Sequence, residues 1–264
     1  MKRKRITATK DELRAVTKSL YDLQDLRIKI DGRITRKADG TQMDDNGTEA
    51  SMTVEAPGML RDFADDIREL EHKYELMQAN IVKGLPEWEE FLKGVKGCGP
   101  KMAAVLITEI DPVKAEYPSK IWQYAGLNPG MVQGKKREGD NIIPTGELIK
   151  GDKLTAGFVS PYNKYLKTKL VGVLADCIIK AKDPKYTKFY YDYKNRLEQS
   201  DRTVNGKDKT WSEESKGHRD MAAKRYMIKM FLVDYWKAIR KIHNLPIREP
   251  ALYSEEYLGK VHHA

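Results

Sequence analysis

The sequence predicts a mainly α protein: a helical hairpin or coiled-coil arm, then a helical domain containing a helix-hairpin-helix. Three observations predict it. Apolar residues recur at steps of three and four over long stretches near both ends of the chain. Two helical patterns in the middle are joined by the tight turn Gly97-Cys98-Gly99-Pro100. Charged residues make up 33% of the chain and apolar residues 40%, enough for a core under a polar helical surface.

The arm comes first, over residues 1–84. Thr9 with Glu12 forms a capping box that starts a helix. Its stripe is Leu13, Val16, Leu20, Leu23, Ile30 and Ile34. Residues 37–58 carry Asp39-Gly40, Asn46-Gly47 and Pro57-Gly58, and read as a mobile polar loop. Leu60, Phe63, Ile67, Leu70, Tyr74, Met77 and Ile81 then keep a heptad seam, expected to face its neighbouring helix or to join subunits into a homo-oligomer.

The second domain is expected over 85–245. Pro86 opens a short helix, and Pro100 opens the second helix of the hairpin, where a missing N–H costs nothing. Residues 111–162 are rich in turn residues and form a mixed segment. Helices are expected at 164–181, 184–199 and 218–243, with a polar loop at 203–216. The aromatics Tyr186, Phe189, Tyr190, Tyr191 and Tyr193 read mainly as core. The tail, 246–264, reads as irregular.

Charge narrows the function. The net charge is +9. Residues 1–36 hold 11 basic against 5 acidic side chains, residues 37–90 hold 5 against 14, and residues 91–264 hold 32 against 20. A basic C-terminal two-thirds suits a polyanion, because phosphate contacts release counterions. No apolar run reaches the ~18–20 residues of a membrane helix. The basic start runs into a polar helix and not an apolar core, so a cytoplasmic protein without membrane contact is expected. Cys98 and Cys177 form no CxxC pair, and the five histidines lack metal-ligand spacing. No metal site and no cofactor is expected.

The chemistry is expected at the hairpin. Val95 anchors the turn, and Gly97 and Gly99 allow positive φ and close approach. Ala103 and Ala104 let the helices pack closely. Free N–H groups at the start of the second helix face outward and favour an anion, with Lys96 and Lys101 beside them. The expected nucleic-acid-binding residues here are Lys96, Gly97, Cys98, Gly99 and Lys101. Cys98 also reads simply as a small turn residue. A second basic group, Lys135, Lys136 and Arg137, follows Gln133-Gly134 on an expected Gly-rich loop. Either phosphate contact or an exposed flexible loop would account for it.

These landmarks occur in a familiar order. From about residue 60 to 245 the chain resembles the C-terminal transposase domain of the insertion-sequence transposases that pair a RuvC-like DEDD domain with a serine-bearing domain. The resemblance rests on the heptad helix, Gly97-Cys98-Gly99-Pro100-Lys101, and Ile121-Trp122-Gln123-Tyr124-Ala125-Gly126-Leu127-Asn128-Pro129. It continues through Asn163-Lys164-Tyr165-Leu166-Lys167 and the last helix from Ala222. The family's RuvC-like domain binds Mg²⁺ through acidic residues; residues 1–59 show no apolar strand ending in aspartate and are too short for it. The family's nucleophilic serine precedes a glycine, and Gln133 stands at that position before Gly134. An amide cannot attack a phosphodiester. Ser160 is left as a displaced nucleophile, although Ser160-Pro161 reads more simply as a turn.

The resemblance implies a mobile-element or phage origin and a prokaryotic or phage-infected cell. The leading expectation is a DNA-binding, recombination-related protein without strand-transfer chemistry, with structured RNA as a second ligand. The alternatives are an active transposase or recombinase, for which Mg²⁺ would be needed, and an assembly protein that oligomerises through residues 60–81.

Overall fold

The computed structural model describes residues 9–34, 58–204 and 208–247. The expected mobile loop and most of the expected irregular tail lie outside the described residues. The chain divides into two units, Met1–Leu85 and Pro86–Ala264.

The first unit pairs α1 (Lys10–Ile34) with α2 (Gly58–Val82). The capping box closes as read: Thr9 N–H donates to Glu12 Oε2 at 2.6 Å and Glu12 N–H to Thr9 Oγ1 at 3.2 Å. The helices run antiparallel. Thr17 lies beside Gln78, Arg27 beside Glu71 and Asp31 beside Arg68, so one helix ascends as the other descends. Ile30, Ala64 and Ile67 form the apolar contact between them.

The buried face of α2 keeps Ile67 and Ile81 of the expected stripe and departs from it in between. Ala64, Ile67, Glu71 and Gln78 are buried, whereas Phe63 is 48%, Leu70 39% and Tyr74 37% exposed. The packed face is rotated by about one residue because polar side chains share it. The Gln78 amide donates to Thr17 Oγ1 at 2.8 Å, and Thr17 Oγ1 donates to the Leu13 carbonyl at 2.7 Å. Glu71 accepts from Arg27 at 2.8 Å. Satisfied polar groups can occupy a seam, which a count of apolar residues overlooks.

The second unit is built around α9 (Lys216–Ile242). Ser215 caps it by accepting from His218 N–H at 3.2 Å. Its face of Met227, Ile228, Phe231, Leu232, Tyr235, Trp236 and Ile239 is buried. Each such large side chain removed from water contributes roughly 1.5–3 kcal/mol. Tyr186 of α8 (Tyr186–Glu198) meets Phe231 edge-on, with centroids 5.4 Å apart. Trp236 Nε1 donates to the Ala115 carbonyl at 2.7 Å, tying a loop to the core.

Around this helix lie α3 (Pro86–Glu90), a 3₁₀ turn (Leu92–Gly94), α4 (Pro100–Glu109) and α5 (Pro118–Tyr124). All three α-helices open on proline, whose fixed φ suits a first turn. An unbroken helical stretch follows as α6 (Lys164–Lys167), a π segment (Thr168–Leu174) and α7 (Ala175–Lys180).

One feature of the mixed region corrects the sequence reading. Residues expected as a basic loop form β1 (Met131–Glu138), paired antiparallel with β2 (Asn141–Lys150). Gly139, with φ +59°, supplies the positive φ of the two-residue turn Gly139-Asp140. At 203–215 the described residues form a loop, as expected, tied by a Thr203–Thr210 bridge and by Val204 N–H donating to the Lys209 carbonyl at 2.8 Å. No described helix is long and apolar enough to cross a membrane.

Candidate nucleic-acid interface

The turn between the 3₁₀ segment and α4 has an inward and an outward half. Gly97 belongs to the inward half. Its φ is +93°, and a Cβ there would lie 2.4 Å from the Cys177 carbonyl oxygen of α7. Cys98 is 4% exposed, and its N–H donates to the Val95 carbonyl at 3.1 Å. Burial, with a smaller effect of Cys177, pushes its thiol up to about 12. Gly97 and Cys98, expected at the ligand, are therefore packing residues of the turn.

A buried carboxylate holds this turn in place. Asp183 Oδ2 accepts from Lys96 N–H at 3.0 Å, while its Oδ1 accepts from the N–H groups of Lys185 and Tyr186, each at 3.0 Å. One side chain thus satisfies the amides that start α8 and fixes the hairpin against them. Asp183 lies 87 residues from Lys96, and no local motif announces the pairing.

The outward half is Lys96, Gly99 and Lys101. Gly99 is the N-cap of α4 with φ −75° and ψ 170°, an ordinary extended conformation. The expectation of positive φ at both glycines thus holds at Gly97 alone, because the reversal is completed there. Lys96 and Gly99 are exposed and Lys101 is half-buried. Among the described residues, neither Gly99 N–H nor Met102 N–H finds an acceptor. Such amides at the positive end of a helix suit a phosphate oxygen.

Lys135, Lys136 and Arg137 sit on β1, where alternate side chains point to opposite faces. Lys136 lies 3.3 Å from Glu147 and 4.6 Å from the centre of the Phe158 ring. It is held to the hairpin, while Lys135 and Arg137 share the other face, opposite Pro144 and Ile142. Gly134 is required beneath them: a Cβ would approach Phe158 to 2.6 Å. Gln133 is exposed on the strand opposite Leu148. Ser160 Oγ donates to the Tyr162 carbonyl at 2.8 Å, the contact of a turn-forming serine.

The Tyr124-Ala125-Gly126-Leu127 segment closes α5. Leu127 N–H donates to the Trp122 carbonyl at 2.8 Å and Gly126 N–H to the Gln123 carbonyl at 3.0 Å, the two bonds of a Schellman cap. Gly126 has φ +64°, and a Cβ there would approach the Tyr162 ring to 2.6 Å. Asn163 joins this cap to α4 through its amide bonds to Glu109 at 2.7 Å and to the Tyr124 hydroxyl at 2.8 Å. The hairpin, the α5 cap and the Asn163 turn are therefore one connected framework.

Among the described residues no group of three or more His, Cys, Asp or Glu side chains is gathered to hold a metal ion. A basic group that the sequence reading missed does come together. Lys153, Lys167, Arg225 and Lys229 gather around Asp152 from three separate segments. Only their electrostatic neighbourhood in the folded chain reveals them.

Comparison with curated proteins gives no match. The stretch from the end of α3 to β2 does match a family: residues 89–147 fit the Transposase IS116/IS110/IS902 family, the C-terminal transposase domain of these insertion-sequence proteins.

Proposed function

We propose that the protein binds nucleic acid, DNA first, in a recombination-related role, without carrying out strand transfer itself. The observation that carries this reading is the outward half of the hairpin turn. The exposed Gly99 amide at the start of α4, without an acceptor among the described residues and flanked by Lys96 and Lys101, lies inside the stretch that fits the transposase family. Contacts of this kind position a phosphate backbone without reading its sequence. The lack of strand-transfer chemistry follows from Gln133, whose amide is no nucleophile. Ser160, whose hydroxyl donates to the Tyr162 carbonyl, is read as a turn-forming serine.

The test is fluorescence anisotropy with labelled duplex, branched and single-stranded DNA and with RNA, across a salt series with and without Mg²⁺. The same samples then go on a denaturing gel. Salt-sensitive binding with intact strands is expected. Lys96→Ala with Lys101→Ala should weaken all sequences alike and lower the salt slope by about 1 per lost phosphate contact. Cut strands would overturn the non-catalytic part of the reading. No binding to any probe would overturn all of it.

A second reading is favoured by the exposed face of α2. Phe63, Leu70 and Tyr74 are each more than a third exposed on one side of the arm. An assembly role through residues 60–81 predicts a homo-oligomer that Phe63→Ser with Leu70→Ser dissociates, as read by light scattering.

A further inference from the structure

The cations of α9 divide sharply by what they contact. Arg219 is 9% exposed and donates to the carbonyls of Ser212 and Glu214. Arg240 is 6% exposed and donates to those of Pro112, Ala115 and Pro246. Lys224 pairs with Asp176 and Asp220, each at 2.8 Å. Lys224 and Arg240 are satisfied, as half-buried or buried cations ordinarily are, and Arg219 is held through its Nη1 although its Nε has no partner among the described residues.

Arg225 and Lys229 break the pattern. They stand one turn apart on α9 and line a cleft of about 960 Å³ in the second unit. Both are half-buried. Among the described residues, Arg225 makes no hydrogen bond or ion pair, and the Lys229 ammonium meets only the face of Trp122, 5.2 Å from its centre. Burial, and for Lys229 also the neighbouring Arg225, lowers the affinity of both for their protons. Lys167, whose ammonium donates to the Asp152 carbonyl at 2.6 Å, shares the same field with Lys153.

Among the described residues Asp152 is the carboxylate that acts on these cations, with Glu214 elsewhere in the cleft lining, and the buried Oδ1 of Asp152 has no hydrogen-bond partner there. Like charges gathered along a cleft cost stability unless an anion completes them. The cleft also has an aromatic wall. Tyr193 and Tyr226 line it, stacked with centroids 4.3 Å apart. Basic floor and aromatic wall together are the combination that holds a single nucleic-acid strand, phosphate on the cations and base against the rings.

We propose that this cleft is a phosphate seat for one nucleotide of a single-stranded segment, with Arg225 and Lys229 holding the phosphate. The proposal rests on the nucleic-acid reading above and deepens it. It adds a site distinct in residues from the hairpin turn, and a preference for an unpaired strand there. A free phosphate or mononucleotide offers the same chemistry, so the experiment includes both.

The full chain is titrated with labelled single-stranded DNA, single-stranded RNA and a duplex of equal length. Thermal shifts are followed with inorganic phosphate and a nucleoside monophosphate. Arg225→Gln and Lys229→Gln should each weaken single-strand binding about tenfold and lower its salt slope by about 0.7 per lost phosphate contact. Duplex binding through the hairpin should change far less. Arg225→Lys should restore most of the affinity. Without ligand, Arg225→Gln should melt at or above the wild-type temperature, because it removes an unpaired cation. A loss of single-strand affinity together with an unfolded Gln variant and no rescue by Arg225→Lys would overturn the proposal.

Unchanged single-strand affinity in both Gln variants, with nucleic-acid binding intact, would overturn the phosphate seat and leave the hairpin reading standing. Stabilisation by phosphate that Arg225→Gln abolishes, in a protein that binds no polymer, would keep the seat and sink the nucleic-acid reading. Failure of the wild type to respond to any of these probes would sink both.

Discussion

Replacing Gly97 and Gly99 separately by alanine distinguishes packing from ligand contact within one turn. At Gly97 the new methyl would lie 2.4 Å from the Cys177 carbonyl oxygen, 2.5 Å from its carbon and 2.7 Å from the Ile178 nitrogen. All three are backbone atoms of α7, which cannot move aside as a side-chain tip would. Overpacking of this kind costs roughly 1–3 kcal/mol. The φ of +93° adds strain of about 1–2 kcal/mol for a residue bearing a Cβ. A total near 3 kcal/mol corresponds to a drop in Tm of about 6–12 °C for a unit of this size. At Gly99 the methyl meets nothing within 4 Å and the φ of −75° suits any residue. The cost there is the weaker capping by alanine, below about 1 kcal/mol. Differential scanning calorimetry of the two variants reads the contrast directly, and anisotropy with duplex DNA reads the function. Gly97→Ala should lose stability, whereas Gly99→Ala should keep the fold and lose affinity only as far as the amides are obstructed. Equal melting temperatures, or a larger loss at Gly99, would refute the division of the turn into inward and outward halves.

Other expectations follow from the same geometry. Thr17→Val should cost about 1–3 kcal/mol by stranding the Gln78 amide, while adding Gln78→Leu should recover part of it; strictly additive losses in a double-mutant cycle would contradict the bond. Native protein should react rapidly with a thiol reagent at Cys177 and slowly at Cys98, because Cys98 is buried and its thiol is pushed up to about 12; two fast thiols would refute the packed turn. Asp220 is raised by burial, but its bonds from Lys224 and Tyr190 outweigh this and hold its carboxyl below the ordinary 3.8. A depressed carboxyl stabilises above its unfolded pKa and loses that contribution as pH falls through the folded value. The difference in Tm between wild type and Asp220→Asn should therefore be present at neutral pH and close below about pH 3.8; a gap constant with pH would show that the charge is not responsible.

Much of the helical framework was legible because its signals are local. Thr9 and Glu12 announce the start of α1, Pro86 and Pro100 mark helix starts, and the apolar face of α9 repeats at helical spacing. The β-hairpin was not legible in the same way. Lys135-Lys136-Arg137 lacks the alternation of a half-buried strand, and β2 leaves Ile142, Ile143 and Leu148 at least 40% exposed. What sets that strand is its pairing partner and the Gly139-Asp140 turn, not its own pattern. The α2 seam was misplaced for a related reason. Thr17, Glu71 and Gln78 count as surface residues in a hydrophobicity pattern, yet each is buried once its hydrogen bond is made.

The helical character of the chain, the tight turn at 97–99, the basic balance of the second unit and Gln133 in the place of a serine could all be read from the amino acids alone. These are properties of residue type and short-range spacing, and no partner in space is needed to read them. Folding alone shows which glycine of the turn faces the core, that Asp183 locks the turn, and that, among the described residues, Arg225 and Lys229 line a cleft without an ion-pair partner while Arg219 and Arg240 bond to carbonyls. Whether a cation is satisfied depends on carbonyls and carboxylates far away along the chain, and those neighbours exist only after folding.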